Sequence, residues 1–141
     1  MLQESYLLIK PDGVKAGVIP EAIRRLEQRL DIDELLYFRF KPETVAEFYP
    51  ERVAGSFSQE IIDYLVSDDC AIIRVRGEDA IKETLDVKGK TGVSGLRKDF
   101  ANNFIHNTVH CPDDEDCYQR ELSIIKNLIE QDLVIRQEAF V

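Results

Sequence analysis

Hydrophobic positions along the chain switch between two periods. Tyr6-Leu7-Leu8-Ile9 is an unbroken apolar run, the pattern of a short strand buried on both faces. Lys10-Pro11-Asp12-Gly13 ends it with turn chemistry: Pro presets φ and Gly permits positive φ. Lys10 therefore closes a buried strand. Ile19, Ile23, Leu26 and Leu30 then keep a helical stripe, with Pro20 suited to the first helical position. Residues 35–40 predict a second strand, stopped by Lys41-Pro42, which opens a short helix through Val45 and Tyr49 that Pro50 closes. Ser56-Phe57-Ser58-Gln59 has a capping-box pattern and announces a helix through Ile61, Ile62 and Leu65. Residues 70–75 predict a third strand, ended by Gly77. Residues 78–85 predict a helix with Ala80, Ile81 and Leu85 inward. A glycine-rich stretch, 88–95, precedes Arg97, and residues 104–109 predict a fourth strand leading into His110. Asp113 suits an N-cap for the last helix, with Asp116 as its reciprocal partner and Tyr118, Leu122, Ile125 and Ile129 as its stripe. The tail, 133–141, is apolar enough to dock on the domain or on a neighbouring subunit.

This order reduces to βαββαβ with an inserted helical pair. It predicts an α/β (α+β) ferredoxin-like sandwich on a four-stranded antiparallel sheet. A length of 141 residues, 44% hydrophobic and 32% charged, suits one domain over residues 1–141. No apolar run approaches the roughly 20 residues of a membrane helix. Met1-Leu2-Gln3-Glu4-Ser5 lacks the basic-then-apolar pattern of a secretory signal. Cys70, Cys111 and Cys117 are odd in number and have no C-x-x-C spacing, so they read as free thiols in a reducing, cytoplasmic setting. A net charge of −9 argues against nucleic acid as a partner. A small anionic substrate is compatible with it where a few cations and a metal are gathered locally.

Two stretches carry candidate chemistry. Gly89-Lys90-Thr91 has the ending of a Walker A loop, but Thr84 stands where the first glycine belongs, and no buried strand runs directly into the loop. A P-loop nucleoside triphosphatase is excluded. The loop still offers backbone N–H groups, Lys88, Lys90 and the Thr91 hydroxyl to phosphate oxygens. The second stretch, Asn107-Thr108-Val109-His110, sets a histidine between a strand and the acidic start of a helix, a place that suits a phosphorylatable nucleophile. A lone histidine is more often structural, and the acids that follow have a simple account as charges favoured at a helix N-terminus.

Tyr6-Leu7-Leu8-Ile9-Lys10-Pro11-Asp12-Gly13-Val14, together with Asn107-Thr108-Val109-His110 and Asp113, resembles the nucleoside diphosphate kinase family over nearly the whole chain. The resemblance implies the ferredoxin-like fold. It also implies γ-phosphoryl transfer from a nucleoside triphosphate, usually ATP, to a nucleoside diphosphate, by a ping-pong route through a phosphohistidine. Mg²⁺ would ride on the phosphates without a dedicated protein site, and a homo-oligomer is implied. Carried over by position, His110 matches the phosphorylated histidine and Glu121 the glutamate that fixes its ring. Lys10 matches the lysine at the phosphates and sugar, and Tyr49 the tyrosine beside the histidine. Phe57 matches the aromatic stacked on the base, with Phe104 facing it. Thr91 and Arg97 match phosphate contacts, and Asn107 the ribose contact. His106 receives no role. The chain departs from the pattern in four places. Leu85 stands where the family has a phosphate-binding arginine, with Lys82 or Lys88 as substitutes. The segment from Thr91 to Arg97 is shorter than the family's loop, which contributes to subunit contacts. Phe48 replaces a histidine, and Cys111-Pro112 replaces Gly-Ser and removes a hydroxyl near Glu121. A catalytically weakened nucleotide-binding or scaffolding domain and a phosphohistidine carrier are the alternative readings.

Overall fold

Strand β1 (Leu2–Ile9) lies between β3 (Cys70–Glu78) and β4 (Val109–His110), and β3 carries β2 (Asp31–Phe38) on its outer side. Every pairing is antiparallel, giving the four-stranded ferredoxin-like sheet. The computed structural model describes residues 1–56, 58–103 and 106–139, apart from the side chains of residues 53 and 133–139. The central strand alternates as its pleat demands. Tyr6 and Leu8 face one helical layer and Leu7 and Ile9 the other, all four fully buried. The first layer contains α3 (Pro42–Phe48), α5 (Ser58–Val66) and the long α8 (Glu115–Ala139). The second contains α2 (Ile19–Glu27), α6 (Ala80–Lys88) and α7 (Gly95–Phe100). Burial of an aliphatic side chain of this size stabilises by about 1.5–3 kcal/mol, so the double-sided strand anchors both layers.

The structure corrects several boundaries. Pro11-Asp12-Gly13 is the first turn of a short helix, α1 (Pro11–Lys15), and Pro50 opens α4 (Pro50–Val53) instead of only closing α3. Proline suits a first helical turn because its missing N–H would have no partner there. Pro20 takes the second position of α2, after Ile19. β1, β2 and β3 extend beyond their apolar runs, because Gln3, Glu4, Asp31 and Arg76 pair through backbone groups whatever their side chains. Gly77 lies inside β3. β4 is only Val109–His110, since Thr108 has φ +73 and breaks the extended chain before it. The cap of α8 is Asp114, not Asp113: its Oδ1 accepts the Cys117 N–H at 2.8 Å. The expected docking of residues 133–141 falls on side chains outside the described residues.

Gly13 explains how closely α1 is set against the turn before β4. A Cβ there would meet Ile9 Cγ2 and Thr108 Cγ2, each at 2.8 Å. Asp12 locks the same junction: the Thr108 hydroxyl donates to its Oδ2 at 2.9 Å, and the Tyr64 hydroxyl of α5 donates to Oδ1. The ends of β1 and β4 are thereby held side by side.

Candidate functional site

Lys10 follows directly on β1. Its N–H donates to the Thr108 carbonyl at 2.8 Å, and its buried ammonium donates to Asn107 Oδ1 and lies 5.6 Å from the centre of the Tyr49 ring. Burial, followed by the charges of Arg97 and Arg52, lowers Lys10 to about 7. His110 ends β4 opposite Leu8. The rings of Phe48 and Tyr49 meet its imidazole edge-on, with centroids 5.3 and 5.2 Å away. Burial lowers the His110 pKa and outweighs the opposing pull of Glu121. The ring is therefore neutral and nucleophilic at pH 7.

Glu121, one turn and a half into α8, reaches His110 Nε2 with Oε1 at 2.9 Å. With the buried carboxylate as acceptor, Nε2 is the protonated nitrogen and Nδ1 carries the lone pair. The Tyr6 hydroxyl also donates to Glu121 Oε1. Arg97, on α7, donates through Nε and Nη2 to the Val109 carbonyl at 3.1 and 3.0 Å, which fixes the residue preceding the histidine. The Tyr49 hydroxyl is buried and has no hydrogen-bond partner among the described residues.

These groups surround a cleft of about 380 Å³. Lys10, Arg52, Lys88, Arg97 and Arg120 line it, against Glu51, Asp113 and Glu121. Five cations against three carboxylates make a local positive field in a chain of net charge −9. A larger hollow of about 790 Å³ lies beside Met1, Leu2 and Arg76, and none of the candidate site residues lines it. Among the described residues no group of three or more His, Cys, Asp and Glu side chains could hold a metal ion. Mg²⁺ keeps several waters and commonly binds through one or two carboxylates plus substrate phosphates. Asp113 and Glu51 on the lining fit a cation that arrives on phosphates.

The structure thus brings Lys10, Tyr49, Arg97, Asn107, His110 and Glu121 together. Thr91 sits on the turn closed by the Lys90–Ser94 bridge and is not among the cleft-lining residues. Phe57 and Phe104 lie outside the described residues. Of the two candidates to stand in for an arginine at Leu85, Lys88 lines the cleft, whereas Lys82 is exposed and pairs with Asp86 at 3.9 Å. Cys111 is buried, and burial pushes its thiol up to about 12, so it stays protonated and inert. His106 stacks edge-on against Tyr64, outside the cleft. Sequence reasoning missed Arg52, Arg120 and the Tyr6 hydroxyl. The signal for Arg52 was Pro50, whose helix-starting role turns the next residues back toward Tyr49.

The sequence model of the nucleoside diphosphate kinase family matches residues 3–129. A nucleoside diphosphate kinase of Exiguobacterium sibiricum is 32% identical over 129 residues, covering 87% of this chain and 94% of the relative. One from Saccharolobus solfataricus is 31% identical over 128 residues, covering 86% and 93%. Among solved structures, the Halobacterium salinarum nucleoside diphosphate kinase in complex with CDP superposes with a TM-score of 0.80 at 26% identity, over 88% of this chain and 87% of that one.

Proposed function

This chain belongs to the nucleoside diphosphate kinase family, and on that premise we propose that it passes the γ-phosphoryl group of ATP or another nucleoside triphosphate to nucleoside diphosphates through a phosphohistidine at His110. The observation that carries the reading is the His110–Glu121 contact at 2.9 Å at the foot of a cationic cleft. In the first half-reaction, Nδ1 attacks the γ-phosphorus in line. The P–N bond forms as the bond to the bridging oxygen breaks, and the nucleoside diphosphate leaves. In the second, a different nucleoside diphosphate attacks the same phosphorus from its terminal oxygen, and the imidazole leaves with its lone pair restored. Nε2–H stays on Glu121 throughout, so the positive charge that develops on the ring is met by a fixed carboxylate.

Such transfer depends on positioning and on spread positive charge more than on covalent assistance. Lys10, Arg52, Lys88 and Arg97 supply the charge, and Asn107 and Tyr49 supply polar groups for the sugar and phosphates. Asp113 and Glu51 would sit beside a Mg²⁺ arriving on the phosphates, and that ion would supply charge neutralisation there. Phe57 and Phe104 flank the base in this reading, and Thr91 contributes a phosphate contact. The chain acts in the cytoplasm as a homo-oligomer, without nucleic-acid or membrane partners.

The test is labelling. Incubated with Mg²⁺ and γ-labelled ATP, the protein should take up label that is acid-labile, alkali-stable and chased off by GDP. His110→Ala should lose both labelling and turnover and keep its fold. Turnover retained in that variant refutes the phosphohistidine route.

A further inference from the structure

We infer that Tyr6 is a positioning residue for the histidine: its buried phenol clamps Glu121 against His110 and so fixes the ring tautomer. The inference rests on the phosphohistidine reading above and deepens it. Tyr6 is fully buried on β1, and its hydroxyl donates to the same Glu121 oxygen that accepts the His110 Nε2–H. A phenol placed there stays protonated, because burial and then the Glu121 charge raise its pKa well above the ordinary value. It can only meet that carboxylate as a donor.

The remaining groups around Glu121 restrain it less. Arg120 Nη2 lies 3.6 Å from the other carboxylate oxygen, with its side chain 45% exposed. Its Nη1 is turned to the Glu47 carbonyl at 2.9 Å. Cys111 and Pro112, which follow the histidine, bring no hydroxyl to the carboxylate. Lys10, just after β1, Lys88 of α6 and Arg97 of α7 line the cleft, and the Tyr49 hydroxyl has no hydrogen-bond partner among the described residues. Glu121 thus has two short contacts, from β4 through His110 and from β1 through Tyr6. Both contacts converge on one oxygen, so swinging Oε1 away from the imidazole also breaks the buried hydrogen bond from Tyr6.

The experiment compares the imidazole ¹⁵N shifts of His110 in the full chain and in Tyr6→Phe at about pH 8, where the ring is neutral. His106, which stacks on Tyr64, serves as the internal reference. The wild-type ring should be almost entirely the Nε2–H tautomer and the variant a mixture. Phosphoenzyme formation should slow about tenfold with the nucleotide KM unchanged. In a Glu121→Ala background, where no acceptor is left for the phenol, the same substitution should cost less than about twofold. A folded Tyr6→Phe with an unchanged tautomer overturns the inference, as does full additivity with Glu121→Ala. If Tyr6→Phe does not fold, fluorotyrosine at position 6 keeps the ring and strengthens the donor, drawing charge from the shared Glu121 oxygen, and an unmoved His110 Nε2–H proton shift then overturns it. Absence of any phosphoenzyme in the wild-type protein refutes the kinase reading instead, and the tautomer comparison still decides the role of Tyr6.

Discussion

At the scale of single residues, one physical cause acts on both groups proposed to meet the phosphoryl group. Burial disfavours charge on both: it keeps His110 neutral, and so nucleophilic, and it lowers Lys10 to about 7, so that the cation is easily lost from the free protein. The signs follow. Lys10 is protonated below its pKa and neutral above it, so kcat/KM, which reports the free enzyme, should fall as pH rises through about 7. Bound phosphates favour the ammonium, so kcat should hold to higher pH. On the acid side both parameters should fall only below the ordinary histidine range, because the His110 pKa is lowered. Steady-state pH profiles with a nucleoside triphosphate check this, and a kcat/KM that is level through pH 9 removes Lys10 from phosphate binding. Lys10, Asn107 and His110 were readable in the sequence because they sit in short motifs at the ends of strands. Arg52 and Arg120 were not, since an arginine on a helix surface reads as solvated charge until the fold sets it beside a cleft. Tyr6 was hidden differently: its ring fits an apolar run, and the acceptor of its hydroxyl lies 115 residues away.

At the scale of elements, strand cores were legible, and edges and some helix starts were not. Pro42 marks a first turn as read, but Pro11 and Pro50, read as a turn and a helix end, also open helices, while β4 shrinks to two residues because a positive φ at Thr108 cannot be foreseen from a β-branched residue in a strand-like stretch. The turn from Gly89 to Gly95 is tightly closed. Gly89 caps α6 at φ +70, and a Cβ on it would stand 2.0 Å from the Ser94 carbonyl oxygen. Backbone, unlike a side-chain tip, cannot swing aside. Gly89→Ala should therefore destabilise by about 2–4 kcal/mol, combining left-handed strain with the collision. It should also raise the nucleotide KM, because Lys88 precedes it on the cleft. Urea unfolding and steady-state kinetics read the two effects separately, and an unaltered midpoint would contradict the close approach.

At the scale of the whole molecule, charge and edges decide how copies meet. The sheet ends in β2 on one side, and β2 carries Asp31, Asp33 and Glu34, while Tyr37 on the same strand is 53% exposed. Acidic side chains on an outer strand oppose unlimited edge-to-edge growth, and an exposed aromatic favours a closed contact. The homo-oligomer proposed above should therefore sediment as one discrete species heavier than the 16.2 kDa chain, with no filaments at low salt. A single monomeric species at micromolar concentration overturns it.

The cross-link between β1 and β4 has one more consequence. Lys10 directly follows β1 and His110 ends β4, and the two segments are joined by the Lys10 amide and the Ile9–Val109 pairing. They share one mount. When the sheet flexes, cation and nucleophile travel together, and the gap between them is set by strand register and not by a closing flap. The protein meets its nucleotide with that distance already cut, as a jig holds two tools at fixed spacing before the workpiece arrives.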